Sequence, residues 1–125
     1  MNDLNIPATD STPAVESDAS CGVLVLRGDA FPENAYALFG PVARWIEDYL
    51  AACQAPLSLT LELQYLNTRS IKALMDIFDL LEAAHAQARP VSVTWFYDGD
   101  NARVGELVEE FREDCTFSFD IVGRR

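Results

Sequence analysis

Three observations predict a single α/β domain with a mixed sheet. An alternating apolar run covers Leu57–Tyr65, a strongly amphipathic helical pattern follows it, and a second alternating run covers Pro90–Tyr97. Strand, helix and strand at this spacing form a right-handed parallel crossover, because parallel strands cannot be joined by a tight turn. The chain has 125 residues, the length of one domain, and 50% of them are hydrophobic, enough for a full core.

The elements follow in order. Residues 1–10 are polar, carry Pro7, and read as a flexible N-terminus ahead of a domain over residues 11–125. Thr12 to Glu16 forms a short strand, and Gly22 to Gly28, apolar and bounded by glycines, forms its antiparallel partner. Pro32-Glu33-Asn34 opens the first helix, since proline suits the first turn and an early Glu suits the dipole. Tyr36, Phe39, Val42, Ile46, Tyr49 and Leu50 fall at helical spacing and predict its buried face. Pro41 predicts a kink or two abutting helices, ending near Ala52.

After the central strand, Ile71, Leu74, Met75, Phe78, Leu81 and His85 make one stripe of the second helix. Ile77, Leu80 and Ala84 widen it, so this helix lies buried against a sheet. Beyond the Pro90–Tyr97 strand, Asp98-Gly99-Asp100-Asn101 is a turn that caps a third helix with Val104, Leu107, Val108, Phe111 and Cys115 inside. Phe117 to Val122 is a last strand and Gly123-Arg124-Arg125 a polar tail. The order is β-β-α-β-α-β-α-β, parallel in its later part and packed by helices. Such sheets place function at the carboxyl ends of their strands.

Composition excludes several classes. The formal charge is −11 and the pI near 4.2, which opposes binding to nucleic acid or an anionic membrane surface. No segment has the length of a transmembrane helix and no basic-then-apolar leader is present, so a cytoplasmic protein without membrane insertion is expected. Cys21, Cys53 and Cys115 have no zinc spacing and read as buried free thiols. The single histidine, His85, lies late in a helix, where packing or a charge at the carboxyl end accounts for it. No nucleophile–base pair, metal-ligand set or glycine-rich phosphate loop is present. The Asp98–Asn101 turn fails as a calcium loop at Ala102, where a ligand is required, and at Arg103, where the sharp turn needs glycine. An enzyme, a cofactor, a metal and a small-molecule substrate are therefore not expected.

The turn Tyr65-Leu66-Asn67-Thr68-Arg69-Ser70 joins the central strand to the second helix. The first N–H groups of a helix lack partners within it, and the dipole leaves about half a positive charge there. Two readings of Thr68 stay open from the residues alone: a helix-capping side chain, and a phosphorylatable hydroxyl seated at an anion site. Ser70 is the rival acceptor, Asn67 the natural cap, and Arg69 and Lys72 the cations in reach of a phosphate.

Four segments carry a resemblance. Phe31-Pro32-Glu33-Asn34-Ala35, Tyr65 to Lys72, Met75 to Glu82 and Glu109 to Asp114 resemble, in order, the SiaC family of bacterial biofilm-regulating phosphoproteins. The family pattern has a small residue, often Ser, where this chain has Arg69. The resemblance implies a STAS-like domain that switches partners. On this resemblance a dedicated kinase is expected to phosphorylate the threonine of the Leu-Asn-Thr turn, here Thr68, and a PP2C-type phosphatase to reverse it. The unmodified form is expected to bind a diguanylate cyclase and promote cyclic-di-GMP synthesis. The partner-facing turn is then Tyr65, Leu66, Asn67, Arg69, Ser70 and Lys72. A likeness in topology to anti-sigma-factor antagonists leaves a transcriptional target as the alternative.

Overall fold

The computed structural model describes residues 2–124; Met1 and Arg125, which close the expected N-terminal stretch and polar tail, lie outside them. The described residues form six strands and three helices: β1 Asn5–Ile6, β2 Ala14–Asp18, β3 Val23–Ala30, α1 Ala35–Ala52, β4 Leu57–Leu66, α2 Thr68–Ala86, β5 Val91–Asp98, α3 Ala102–Glu113 and β6 Ser118–Arg124. They make one sheet in the order β1-β2-β3-β4-β5-β6. The first two pairings are antiparallel and the last three parallel. This is the mixed α/β domain expected, with one additional strand.

Each parallel strand is followed by its neighbour, so right-handed crossovers put all three helices on one face. Burial agrees. Leu24 and Leu26 of β3, Leu57, Leu59, Leu61 and Leu63 of β4, and Val91, Val93 and Trp95 of β5 point under the helices and are almost fully buried. The alternate residues, such as Ser58, Thr60, Ser92 and Thr94, lie on the open face and are half-buried. On that face Glu62 bridges Arg27 at 2.6 Å and Arg124 at 2.9 Å. Arg124 also lies 3.8 Å from the centre of the Phe96 ring. These contacts carry β6 to Arg124, where a tail was expected.

Residues 1–10, read as flexible, hold β1. Asn5 and Ile6 pair with Glu16 and Val15. Asp3 Oδ1 accepts from Ser17 Oγ, Ala19 N and the Trp45 indole. Helix α1 is continuous over 18 residues across Pro41, not two abutting helices. Pro41 and Ala37 are both exposed, so water can take the carbonyl that Pro41 leaves without a donor.

The helix faces are turned from the expected ones. Leu38 and Trp45 are buried in α1, while Tyr36 is 77% exposed. In α2 the buried set is Ser70, Leu74, Ile77, Phe78, Leu81 and Ala84, leaving Met75 and His85 exposed. The three cysteines are free, but against expectation Cys21 is exposed and Cys53 and Cys115 are only half-buried. Burial pushes the Cys115 thiol up to about 11.

Candidate functional site

The carboxyl ends of β3, β4 and β5 each lead into a helix through an asparagine. Asn34, Asn67 and Asn101 are the three N-caps, and each Oδ1 accepts from the backbone N–H three residues on, at 3.2, 2.9 and 3.3 Å. Three helix N-termini therefore open along one rim of the sheet. Their dipoles add positive potential there, in a chain whose net charge is −11.

The middle connection is stitched to both neighbours. Asn67 donates from its backbone N–H to Ala30 O at 3.0 Å and from Nδ2 to Pro32 O at 3.0 Å. Arg69 Nη1 donates to Glu33 O at 2.7 Å. On the other side Asn101 Nδ2 donates to Gln64 O at 3.0 Å, and Asp98 N–H to Gln64 Oε1 at 3.1 Å. The Phe31–Asn34 segment, the Tyr65–Arg69 turn and the Asp98–Asn101 turn thus form one continuous rim.

Thr68 is the first residue of α2 and is exposed. Ser70, the rival acceptor, is fully buried, and its Oγ has no hydrogen-bond partner. Access thus separates the two hydroxyls in the sense the resemblance implies, with Thr68 open and Ser70 closed. Asn67, rather than Thr68, performs the capping. Tyr65 and Arg69 are exposed, Leu66 and Asn67 half-buried, and Lys72, one turn beyond Thr68, is exposed. The rim thus presents Tyr65, Thr68, Arg69 and Lys72, and withdraws Ser70.

Sequence reasoning missed much of what surrounds this turn. The exposed large apolar side chains among the described residues are Phe31, Tyr36, Tyr65, Met75 and Val122. Three of these five, Phe31, Tyr36 and Tyr65, lie on or beside the rim. The Phe31 and Tyr65 rings meet edge to face at 5.3 Å, joining the ends of β3 and β4. Met75 lies seven residues after Thr68, two turns along the same side of α2. Tyr36 shares with Arg69 and Lys72 a groove of about 400 Å3 between α1 and α2, floored by Phe39 and Ile77. A second groove, of about 270 Å3, runs between Tyr65, Ile71 and Arg103 toward α3. Thr68 heads the ridge between the two.

The Phe31–Ala35 motif was visible in the sequence as a helix start and as a family segment, but not as a neighbour of the Thr68 turn. Tyr36 and Met75 fit the helical period and were assigned to buried faces. Among the described residues no group of three or more His, Cys, Asp or Glu side chains is placed to hold a metal ion, and no helix is long and apolar enough to cross a membrane.

An exposed hydroxyl at a helix N-terminus, ringed by unburied aromatic and basic side chains on an α/β scaffold, defines an interaction domain. The chain belongs to the SiaC family: the model for the SiaC family regulatory phosphoprotein matches residues 6–124. An uncharacterized protein of Pseudomonas aeruginosa (strain UCBPP-PA14) is 60% identical over 121 residues, which cover 97% of this chain and 96% of that protein. The crystal structure of apo-SiaC from Pseudomonas aeruginosa is similar, with a TM-score of 0.93 at 57% identity over 98% of this chain and all of that one. So is SiaC in the crystal structure of diguanylate cyclase SiaD in complex with its activator SiaC from the same organism, with a TM-score of 0.94 at 58% identity, again over 98% and 100%.

Proposed function

We propose that this chain is a non-enzymatic, cytoplasmic partner-switch protein whose unmodified form binds and activates a diguanylate cyclase, and that phosphorylation of Thr68 stops it. A cognate kinase transfers a phosphoryl group from a nucleoside triphosphate to Thr68 Oγ1, which gives up its proton. A PP2C-type phosphatase splits the new P–O bond with water. The observation that carries this reading is the placement of Thr68: exposed, first in α2, beside unburied Phe31 and Tyr65, while Ser70 is buried. The likeness to a SiaC crystallised with the cyclase it activates supports the choice of partner.

The physics of the switch is local. Phosphorylation adds about −1.5 to −2 charges and three acceptor oxygens. In the free protein the dianion sits in the field of the α2 N-terminus and in water, so the fold tolerates it. A partner that covers Tyr65, Thr68 and Phe31 would have to desolvate that dianion without a cation of its own to match it. A penalty of ~3 kcal/mol weakens binding ~100-fold, and no large change of shape is needed.

Cyclase turnover tests the reading. Unmodified chain added to its cognate cyclase should raise cyclic-di-GMP synthesis, chain carrying phosphothreonine at position 68 should not, and phosphatase treatment should restore it. Equal activation by both forms would reject the switch.

A further inference from the structure

The Arg69 guanidinium stands where helix dipoles disfavour a cation. It lies at the mouth of α2 and donates to the carbonyl of Glu33, one residue before the N-cap of α1. Both helices present partial positive charge there. Arg69 is exposed, belongs to no ion pair among the described residues, and holds a neutral oxygen.

Adjacent side chains on a helix point about 100° apart and do not face each other. Arg69 is not directed along its own face, however. Its bond to Glu33 O holds the guanidinium at the amino end of α1, which Asn67 Nδ2 ties to the first turn of α2 through Pro32 O, and helical side chains lean toward that end of their helix. Thr68 begins that turn, and a phosphate on its Oγ1 is drawn to the same mouth by the unpaired N–H groups.

We propose that Arg69 is a two-position latch: in the unmodified protein it holds the Glu33 carbonyl, and when Thr68 is phosphorylated it turns to the phosphate and releases the Phe31–Asn34 loop. The latch rests on the reading of Thr68 as the phosphoacceptor. A hydrogen bond between two ionised groups replaces one between an ion and a neutral carbonyl, which drives the exchange. The loop keeps its hydrogen bonds from Asn67 Nδ2 to Pro32 O and from Phe31 N–H to Ser11 O, and Pro32 stays buried. Phe31 is the ring that meets Tyr65, so the modification disturbs the exposed aromatic pair as well as adding charge. Lys72 and Arg103 are the other cations near the turn. Either can attract a phosphate, but only Arg69 is bonded to the loop.

Phosphothreonine installed at position 68 during protein synthesis tests this without any kinase or cyclase. A 31P NMR pH titration should place the phosphate's second ionisation about half a pH unit lower in the otherwise wild-type chain than in Arg69→Gln, with Arg69→Lys between them. Hydrogen exchange over residues 31–37 should quicken severalfold on phosphorylation. In Arg69→Gln it should be fast already and change no further. Equal titration midpoints in wild type and Arg69→Gln would overturn the latch, as would a rise seen only in Lys72→Gln or Arg103→Gln. Failure of the cyclase experiment would remove the switch and leave these results standing; equal midpoints would remove the latch and leave the switch standing.

Discussion

Two arginines hold opposite ends of α1, and they do so under opposite electrostatics. Arg89 donates from Nη1 to Leu50 O at 2.6 Å and from Nη2 to Cys53 O, at the carboxyl end of the helix. A cation is favoured there, and this one is half-buried beside Tyr49, whose hydroxyl donates to Pro56 O at 3.0 Å. Arg69 donates to Glu33 O at the amino end, exposed, where the dipoles of α1 and α2 oppose it. The Arg89 end is built to stay fixed. At the Thr68 end Arg69 makes a single exposed contact, which can be exchanged at small cost.

Removing the two cations should give unequal results. Arg89→Ala strands two carbonyls of the last turn of α1 and should cost about 3 kcal/mol in denaturant unfolding. Arg69→Ala should cost less than about 0.5 kcal/mol, as exposed single contacts do. Equal losses would end the contrast. The same fixed end holds Gly22, at φ +68°, where an added Cβ would lie 2.1 Å from Pro56 O and 2.5 Å from the Tyr49 hydroxyl. Gly22→Ala should therefore lose about 2–3 kcal/mol, because backbone rather than a flexible side chain must move.

The caps at the exchangeable end grade more finely. Asn67→Ala loses both its cap and the bond to Pro32, and should cost about 2 kcal/mol. Asn34→Ala loses only a cap and should cost about 1 kcal/mol. Thermal or urea unfolding of the pair would show whether Asn67 ties two elements or merely ends a helix.

The smallest effect concerns pH. The Arg27 guanidinium, with Arg124 beside it, holds the Glu62 carboxyl below its ordinary value of 4.5, against an opposing effect of burial. A folded-state value below the unfolded one contributes stability that is full above the unfolded value and is lost as pH falls through the folded one. Acid unfolding below about pH 4.5 should therefore be shallower in Glu62→Gln than in the wild type. Parallel curves would show that the pair contributes nothing to the fold.

The core was legible where one physical rule decides. The β4 alternation, the strand–turn–helix after it and the Asn67 cap follow from period and capping chemistry. Helix faces were less legible. In α1 both Tyr36 and Trp45 fit a helical stripe, and only tertiary contacts such as the Trp45–Asp3 bond choose between them. Strand β1 has two residues and no pattern of its own; its place depends on partners in the next strand, Val15 and Glu16, and on Ser17. At the site, Thr68 was legible as an anion-site hydroxyl, but its separation from Ser70 is a matter of burial. The Phe31–Tyr65 contact and the Arg69–Glu33 bond join positions more than thirty residues apart, and no local pattern announces them.

Affinity for the cognate diguanylate cyclase, measured on the same chain with threonine and with phosphothreonine at position 68, bears on the central claim most directly. A roughly 100-fold loss of affinity with the phosphate, in a domain whose unfolding curve is unchanged, is the expected result. Equal affinities for the two forms would contradict it.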